Sequence, residues 1–320
     1  MNRIGWIVAL AALAVLVALP HALRSYGIYL LSLWALYAIA AQGLNLTLGY
    51  AGQVSLGQAA FLGIGAYTSA LMMKAGLSFW SALPTAAALC FALGLLLGFP
   101  ALRVQHHYLA FATLGFNGLV YLILRNEEWL TGGTFGIRRI ARPELFGVPL
   151  RSPLDFYYLC LAALVAVTLM LWWILRSPWG RAFAALRDNP LRAESLGIDI
   201  RAYTLLAFAI GAACAGIAGA FYAPLVQFID PTPFGLTTSL AFLLMVVVGG
   251  SGRFFGPFIG AALVTLLPEW LRFAESYYLL VYAILVVILM VWCPGGILAI
   301  PDRLRALRTA TGARPEPVRS

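Results

Sequence analysis

A succession of ten apolar runs constrains this chain more than any other feature. They occupy 4–19, 26–48, 59–73, 79–102, 108–124, 154–175, 204–223, 237–248, 254–271 and 277–292. A helix needs roughly 20 apolar residues to cross a bilayer, and most of these runs approach that length. In lipid every backbone N–H and C=O must find a partner within the protein, which favours helices. Composition agrees: 62% of residues are hydrophobic and 10% charged, against roughly 25% charged in a soluble domain. The expected fold is an all-α, polytopic transmembrane helical bundle of about ten membrane segments, some of them short or broken. Residues 1–300 read as one transmembrane domain, and 301–320 as a basic, disordered cytoplasmic tail. A cleavable signal peptide is the rival reading of 4–19. No small-residue cleavage site follows it before Pro20-His21, so an uncleaved first helix is favoured.

Two junctions are irregular. Gly49 to Gln58 holds three glycines with Gln53, Ser55 and Gln58, and Asn45 lies just before it. Polar groups there are expensive in lipid unless protein or water satisfies them. Asn45, Gln53, Ser55 and Gln58 are therefore candidates to line a pathway, with an ordinary capped turn as the alternative. The run 237–248 is too short to cross alone and is followed by Gly249-Gly250-Ser251-Gly252-Arg253. That reads as two helices joined by a hinge at Gly249, Gly250 and Gly252. Within 204–223, Gly211, Ala215 and Gly219 recur every four residues. Small residues at that spacing let helices approach closely in lipid. Pro224, Pro231 and Pro233 are expected to end this segment.

The most polar interior stretch is 176–203, with five arginines (176, 181, 187, 192, 201) and three acids (Asp188, Glu194, Asp199). Trp179, Phe183 and Leu186 fall at i, i+4 and i+7, one apolar stripe of a short helix. Asn189 followed by Pro190 starts a second one. Gly197 supplies its stop, and Asp199 can cap the membrane helix beyond. Two capped helices suggest a docking surface, while a solvated basic loop is the alternative. With ten crossings and an internal N-terminus, thirteen Lys or Arg fall inside and eight outside. The bias follows the positive-inside rule and puts the island and both termini in the cytoplasm. The polar segment 125–153 then forms a folded extracytoplasmic loop, and Trp172-Trp173 an interfacial anchor.

Several chemistries are excluded or unsupported. The single lysine, Lys74, follows Leu71-Met72-Met73, so no phosphate-binding GxxxxGK[ST] loop exists and any ATP is bound by another subunit. No catalytic constellation or cofactor motif appears. Cys90, Cys160, Cys214 and Cys293 are dispersed and read as small buried hydrophobes, and His106-His107 lacks spaced metal-ligand partners. The net charge of +9 serves orientation and anionic lipid rather than nucleic acid. All twelve acids lie in loops or near span ends, unlike symporters that use an intramembrane carboxylate.

LNLTLGYAGQVSLGQAAFLGIGAYTSALM (44–72), TGGTFGI (131–137), GRAFAALRDNPLRAESLGIDI (180–200) and LLMVVVGGSGRFFGPFIGAAL (243–263) resemble, in the same order, the permease subunits of branched-chain amino acid ABC transporters. The TGG loop makes the resemblance closest to the LivM type. It implies a second, related permease, two cytoplasmic ATPase subunits that bind the ATP, and a periplasmic substrate-binding protein. It also implies that Gly180, Arg181, Ala184, Arg187, Asp188, Asn189, Glu194 and Gly197 belong to the loop that engages the ATPase. Pro190 stands where an acidic residue often follows the asparagine. Closure of the ATPases would then push or pull 179–197 and rock the spans. Urea and amide permeases share these segments, so a urea or amide importer is the alternative substrate class. A self-standing channel is the alternative from another class.

Overall fold

The computed structural model describes residues 3–101, 108–145, 148–150, 152–270, 284 and 295–299. The expected span 277–292, the tail 301–320, Arg103, the His106-His107 pair and Cys293 lie outside the described residues. Within them the chain is a bundle of helices, as the apolar runs require. The long helices are α1 (Arg3–Ala18), α2 (Ser25–Asn45), α3 (Gln58–Lys74), α4 (Phe79–Ala101) and α5 (Tyr108–Asn126). After a one-turn α6 (Glu128–Thr131) come α7 (Pro153–Arg176), α8 (Pro178–Asp188) and α9 (Pro190–Ser195). The series ends with α10 (Ile200–Val226), α11 (Leu236–Gly249) and α12 (Gly256–Trp270). Five helical stretches are long and apolar enough to cross a bilayer. They are Ser25–Tyr50, Phe79–Pro100, Leu109–Asn126, Pro153–Arg176 and Ile200–Val226. α3 is shorter because the break before it consumes residues 51–57, and α11 and α12 because a glycine turn divides them.

Burial identifies the centre. The apolar windows of 25–50 and 200–226 are 72% and 78% buried, against 28–33% for the other three stretches. So α2 and α10 are inside, with α3 and α4 packed on α10 and α7 and α12 on α2. Backbone approach through small residues makes this possible. A methyl added to Gly211 would lie 2.7 Å from the Gly43 carbonyl oxygen, and one on Gly65 would lie 2.7 Å from the Gly216 Cα. Gly219 faces the backbone of Leu62 and Ala66, and Ala215 is fully buried. The expected seam of Gly211, Ala215 and Gly219 is thus a three-helix contact, α10 against both α2 and α3.

α10 also outruns its expected end. Pro224 lies inside the helix and is buried, and the helix stops at Gln227, which takes a left-handed conformation (φ 60°). A proline this near a C-terminus removes only one helical hydrogen bond. The three described cysteines are buried and free.

The two ends of the bundle differ. At one end, 125–153 folds into a small cap. Thr131 Oγ1 donates to the carbonyls of Leu124 and Glu127, each at 2.8 Å. Strand β1 (Ile137–Arg138) pairs antiparallel with 228–229 beyond α10, and β2 (Glu144–Leu145) pairs with β3 (Val148–Pro149). Trp80 Nε1 donates to Glu144 O at 2.8 Å, tying the cap to α4. At the other end lie α8 and α9. There Arg176 stacks over the Trp172 ring at 4.2 Å, while Trp173 is exposed.

Substituting Gly65 by valine should drive a branched side chain into Gly216 backbone, which cannot move aside as a flexible side chain would. Overpacking of this kind costs about 1–3 kcal/mol. Gly118, on the open face of α5, has no atom within 4 Å of the place an added methyl would take, so Gly118→Ala should be neutral or stabilise by about 0.5–1 kcal/mol. Thermal unfolding of the two variants in detergent checks the contrast. Equal shifts for both would contradict the seam.

Candidate coupling site

The island folds from local signals. Asn189 Oδ1 accepts from Arg192 N at 3.1 Å, and Asp199 Oδ1 accepts from Arg201 N and Ala202 N at 3.0 and 3.1 Å. Gly197 takes φ +82° after α9, a conformation that favours glycine. The same Ser-Pro device starts two further helices that sequence reasoning passed over. Ser177 caps α8 ahead of Pro178, and Ser152 caps α7 ahead of Pro153.

The predicted stripe is partly corrected. Phe183 and Leu186 are buried, and Phe183 meets the Tyr203 ring edge-on. Trp179 is 45% exposed. Gly180 takes the buried position in that turn instead, pressed on the backbone of Leu175. Arg181, Ala184, Asp188, Glu194 and Gly197 are on the exposed face, and Asn189 is half-buried. Two apolar residues that sequence reasoning missed join them: Leu191 and Leu196 are 77% and 79% exposed. Neither continues the stripe of α8, so periodicity gave no sign of them.

Arg187 behaves differently from its neighbours. It reaches the turn 250–253 between α11 and α12, and its guanidinium lies where any side chain on Gly252 would have to go. It is also within electrostatic reach of the Tyr50 hydroxyl. Gly252 takes φ +74° and packs backbone to backbone on Gly49. Asn45, the last residue of α2, reads this turn with both halves of its amide. Its Nδ2 donates to Arg253 O at 3.0 Å, and its Oδ1 accepts from Gly252 N at 2.8 Å. Arg253 in turn donates through Nη1 to Leu298 O. Gly249 packs against Gly256 across the α11–α12 contact, and Gly250 has φ +115°. These glycines therefore sit in a packed turn whose backbone is held by named partners.

The end of α2 is a hub. Its last helical residue leads into a π-wound turn, Leu46–Tyr50. Gln42 bonds to Thr168 of α7 at 3.1 Å, and Thr47 Oγ1 donates to Ala207 O of α10 at 3.3 Å. The backbone then runs unwound through 51–57 before α3 begins. Asn45, Gln53, Ser55 and Gln58, the polar residues singled out at this junction, are all buried. Gln58 Nε2 donates to Ala40 O at 2.7 Å and to Gly211 O at 3.3 Å. Ser55 Oγ accepts from Gly57 N, and Gln53 N donates to Thr47 O at 2.9 Å. Partners from other helices complete the set. Leu56 N donates to Thr113 Oγ1 of α5 at 2.9 Å. Ala59 N donates to Ser239 Oγ of α11 at 3.0 Å, and that hydroxyl donates to Asn117 Oδ1 at 3.1 Å. The Asn45, Ser55 and Gln58 side chains thus have protein partners in this conformation, and Gln53 is buried with its backbone N–H bonded to Thr47 O.

The structure thus brings Asn45, Arg187, Gly249, Gly250 and Gly252 to one end, with Gln58 and Gly211 nearby and Gly219 farther along α10. A crevice of about 10 Å³ beside Asn45 is lined by Gln42, Leu46, Tyr50, Leu171, Leu175 and Phe254. It has room for about one water and none for a solute the size of an amino acid.

Residues 26–290 match the family described as "Branched-chain amino acid transport system / permease component". The chain is 38% identical to the high-affinity branched-chain amino acid transport system permease protein LivM of Escherichia coli K12, over 92% of this chain and 74% of that protein. Identity to the LivM protein of Salmonella typhimurium LT2 is 37%, over 90% of this chain and 74% of the other. The autoinducer 2 import system permease protein LsrC of Escherichia coli O9:H4 is 26% identical over 81% of this chain and 77% of its own length. No solved structure matches the chain. An all-α membrane bundle that matches this family over most of its length, and LivM at such identity, belongs to the branched-chain amino acid transport system permease family.

Proposed function

We propose that this chain is the membrane-spanning permease subunit of an ATP-driven importer that carries branched-chain amino acids across the bacterial inner membrane. The substrate class follows from the LivM relatives, whose names give it. The coupling half of the reading rests on one observation. Leu191 in α9 and Leu196 at its C-cap stand largely exposed beside Arg192 and Glu194, on a short helix that Asn189 caps. Apolar side chains displayed on a charged, preformed surface suit the desolvated centre of a protein interface.

In this reading α8 and α9 dock on cytoplasmic ATPase subunits, which hold the ATP that this chain has no loop to bind. Arg181, Ala184, Asp188, Asn189, Glu194 and Gly197 form or shape the docking face, and Arg187, itself exposed, reaches from it to the 250–253 turn. A second, related permease completes the passage, and a periplasmic protein delivers the substrate to the opposite end. An orientation with both termini in the cytoplasm is part of this reading, and the arginine excess on the island side supports it. Asn45, Gln53, Ser55 and Gln58 meet the passage only when the segment 51–57 moves.

Replacing both Leu191 and Leu196 by aspartate should leave membrane insertion intact and weaken retention of the ATPase by about tenfold or more. Copurification from detergent measures this, and undiminished retention would remove the docking face. Glu194→Lys should lower ATP-dependent leucine uptake into vesicles while the chain remains assembled in the membrane. Vesicles holding the chain alone should show no leucine flux. Steady flux without ATPase subunits would instead establish a self-standing channel.

A further inference from the structure

We propose that Asn45 is the positioning residue that delivers motion of α8 to the unwound segment inside the bundle. The proposal rests on the importer reading above. It adds a specific joint, made of Arg187, the 250–253 turn, Asn45 and the π-wound turn that follows it.

Three independent contacts define the joint. The end of the Arg187 side chain occupies the space over Gly252, so a movement that closes this gap displaces the guanidinium. Gly252 also packs against the Gly49 backbone. Asn45 then locks donor to acceptor and acceptor to donor, on two consecutive residues of the same turn. A buried amide that uses both of its polar atoms on neighbouring backbone groups fixes distance and register together. Breaking it leaves a half-buried N–H and a half-buried C=O without their protein partner, and truncating Asn45 removes the side chain that bonds both. Asn45 itself is 3% exposed.

What the joint acts upon is the weakest stretch of an otherwise regular core. Residues 46–50 are π-wound, a local widening that recurs at functional sites and can revert to α by moving one residue. The segment 51–57 follows with no helical bonds, and its exit, Gln58, holds carbonyls of α2 and α10. A one-residue change in winding would shift 51–57 along its own direction and reposition Gln53, Ser55 and Gln58 as a set. Alternative links are less suited to this work. Gln42 joins α2 to α7 within regular helix, and Thr47 joins it to α10, the most buried helix. Neither side chain's hydrogen bond reaches the 250–253 turn, while α8 itself packs on the π-wound turn.

The test uses the full transporter in proteoliposomes, with ATP hydrolysis and leucine uptake measured together. Asn45→Ala should lower leucine moved per ATP by about tenfold while hydrolysis stays within about twofold of the parent. Gln42→Ala, an equally buried polar residue one turn away, should leave that ratio unchanged, because a merely structural loss would act alike at both positions. Arg187→Leu should reproduce the Asn45→Ala ratio, and the double variant should be no worse than either. It also serves if Asn45→Ala fails to assemble. A second readout is maleimide labelling of Ser251→Cys, on the exposed part of the turn. Its rate should change between nucleotide-free and vanadate-trapped parent, and should not change when Asn45 is alanine. An unaltered ratio in assembled Asn45→Ala, or a double variant whose defects multiply, would overturn the joint. A parent complex that cannot concentrate leucine with ATP would instead count against the importer reading itself.

Discussion

The structure depends on making a stretch of unwound backbone tolerable inside an apolar bundle. Each buried donor left without a partner costs about 1–3 kcal/mol, so a run of irregular residues could undo much of the stability of a single domain. The segment 51–57 avoids this because its neighbours supply acceptors. Ala51 N donates to Leu46 O and Gln53 N to Thr47 O, while Leu56 N finds Thr113 and Gly57 N finds Ser55. At the start of α3, where an N–H has no carbonyl one turn back, Ala59 N reaches the Ser239 hydroxyl. The polar residues of α5 and α11 are thus explained by a break that lies on neither helix.

The small-residue seam follows from the same constraint. Gln58 can bond carbonyls on both α2 and α10 only if those helices come close enough for one side chain to span them. Gly43 and Gly211 permit that approach, and Gly65 with Gly216 brings α3 in beside them. Lipid offers little hydrophobic drive for helices to associate, so close packing and interhelical hydrogen bonds must supply the affinity. In this chain the two act at one level of the bundle, since the glycine contacts bring the amide within reach and the amide then holds them.

Much of this was legible in the sequence where the signal is local. The apolar runs located the helices, Asn189-Pro190 and Asp199 marked caps that the structure contains, and the four-residue spacing of Gly211, Ala215 and Gly219 announced close packing. What the local sequence does not carry is a partner in a distant segment. Asn45 reads as a candidate pathway residue, and nothing in its neighbourhood says that residues 252 and 253 supply its hydrogen-bond partners. Asn117 and Ser239 drew no notice, being single polar residues in apolar runs, yet they complete the junction. Arg187 stands at a position of the family's coupling loop, but nothing in the sequence says that its side chain reaches Gly252. The strand pair between 137–138 and 228–229 was equally invisible, since two-residue strands carry no periodicity.

The two ends of the bundle are secured by different kinds of contact, and this difference bears on transport. At the cap end, backbone pairing of β1 with 228–229, the Thr131 bonds and the Trp80 bond to Glu144 tie separate loops together over a broad area. At the island end, beside the buried Phe183 and Leu186 of α8, single side chains do much of the holding among the described residues: Asn45, Arg187 and Arg253 keep a turn of glycines against the last turn of α2. Contacts spread over many backbone groups resist displacement in every direction. Contacts made by single side chains on glycine backbone constrain the few directions in which those side chains point. A push on α8 therefore meets a rigid centre in α2, α3 and α10, a braced far end, and one irregular segment between them. Strain applied there has the π-wound turn and 51–57 as its softest outlet, because 51–57 has no regular helix and the turn before it is π-wound rather than α.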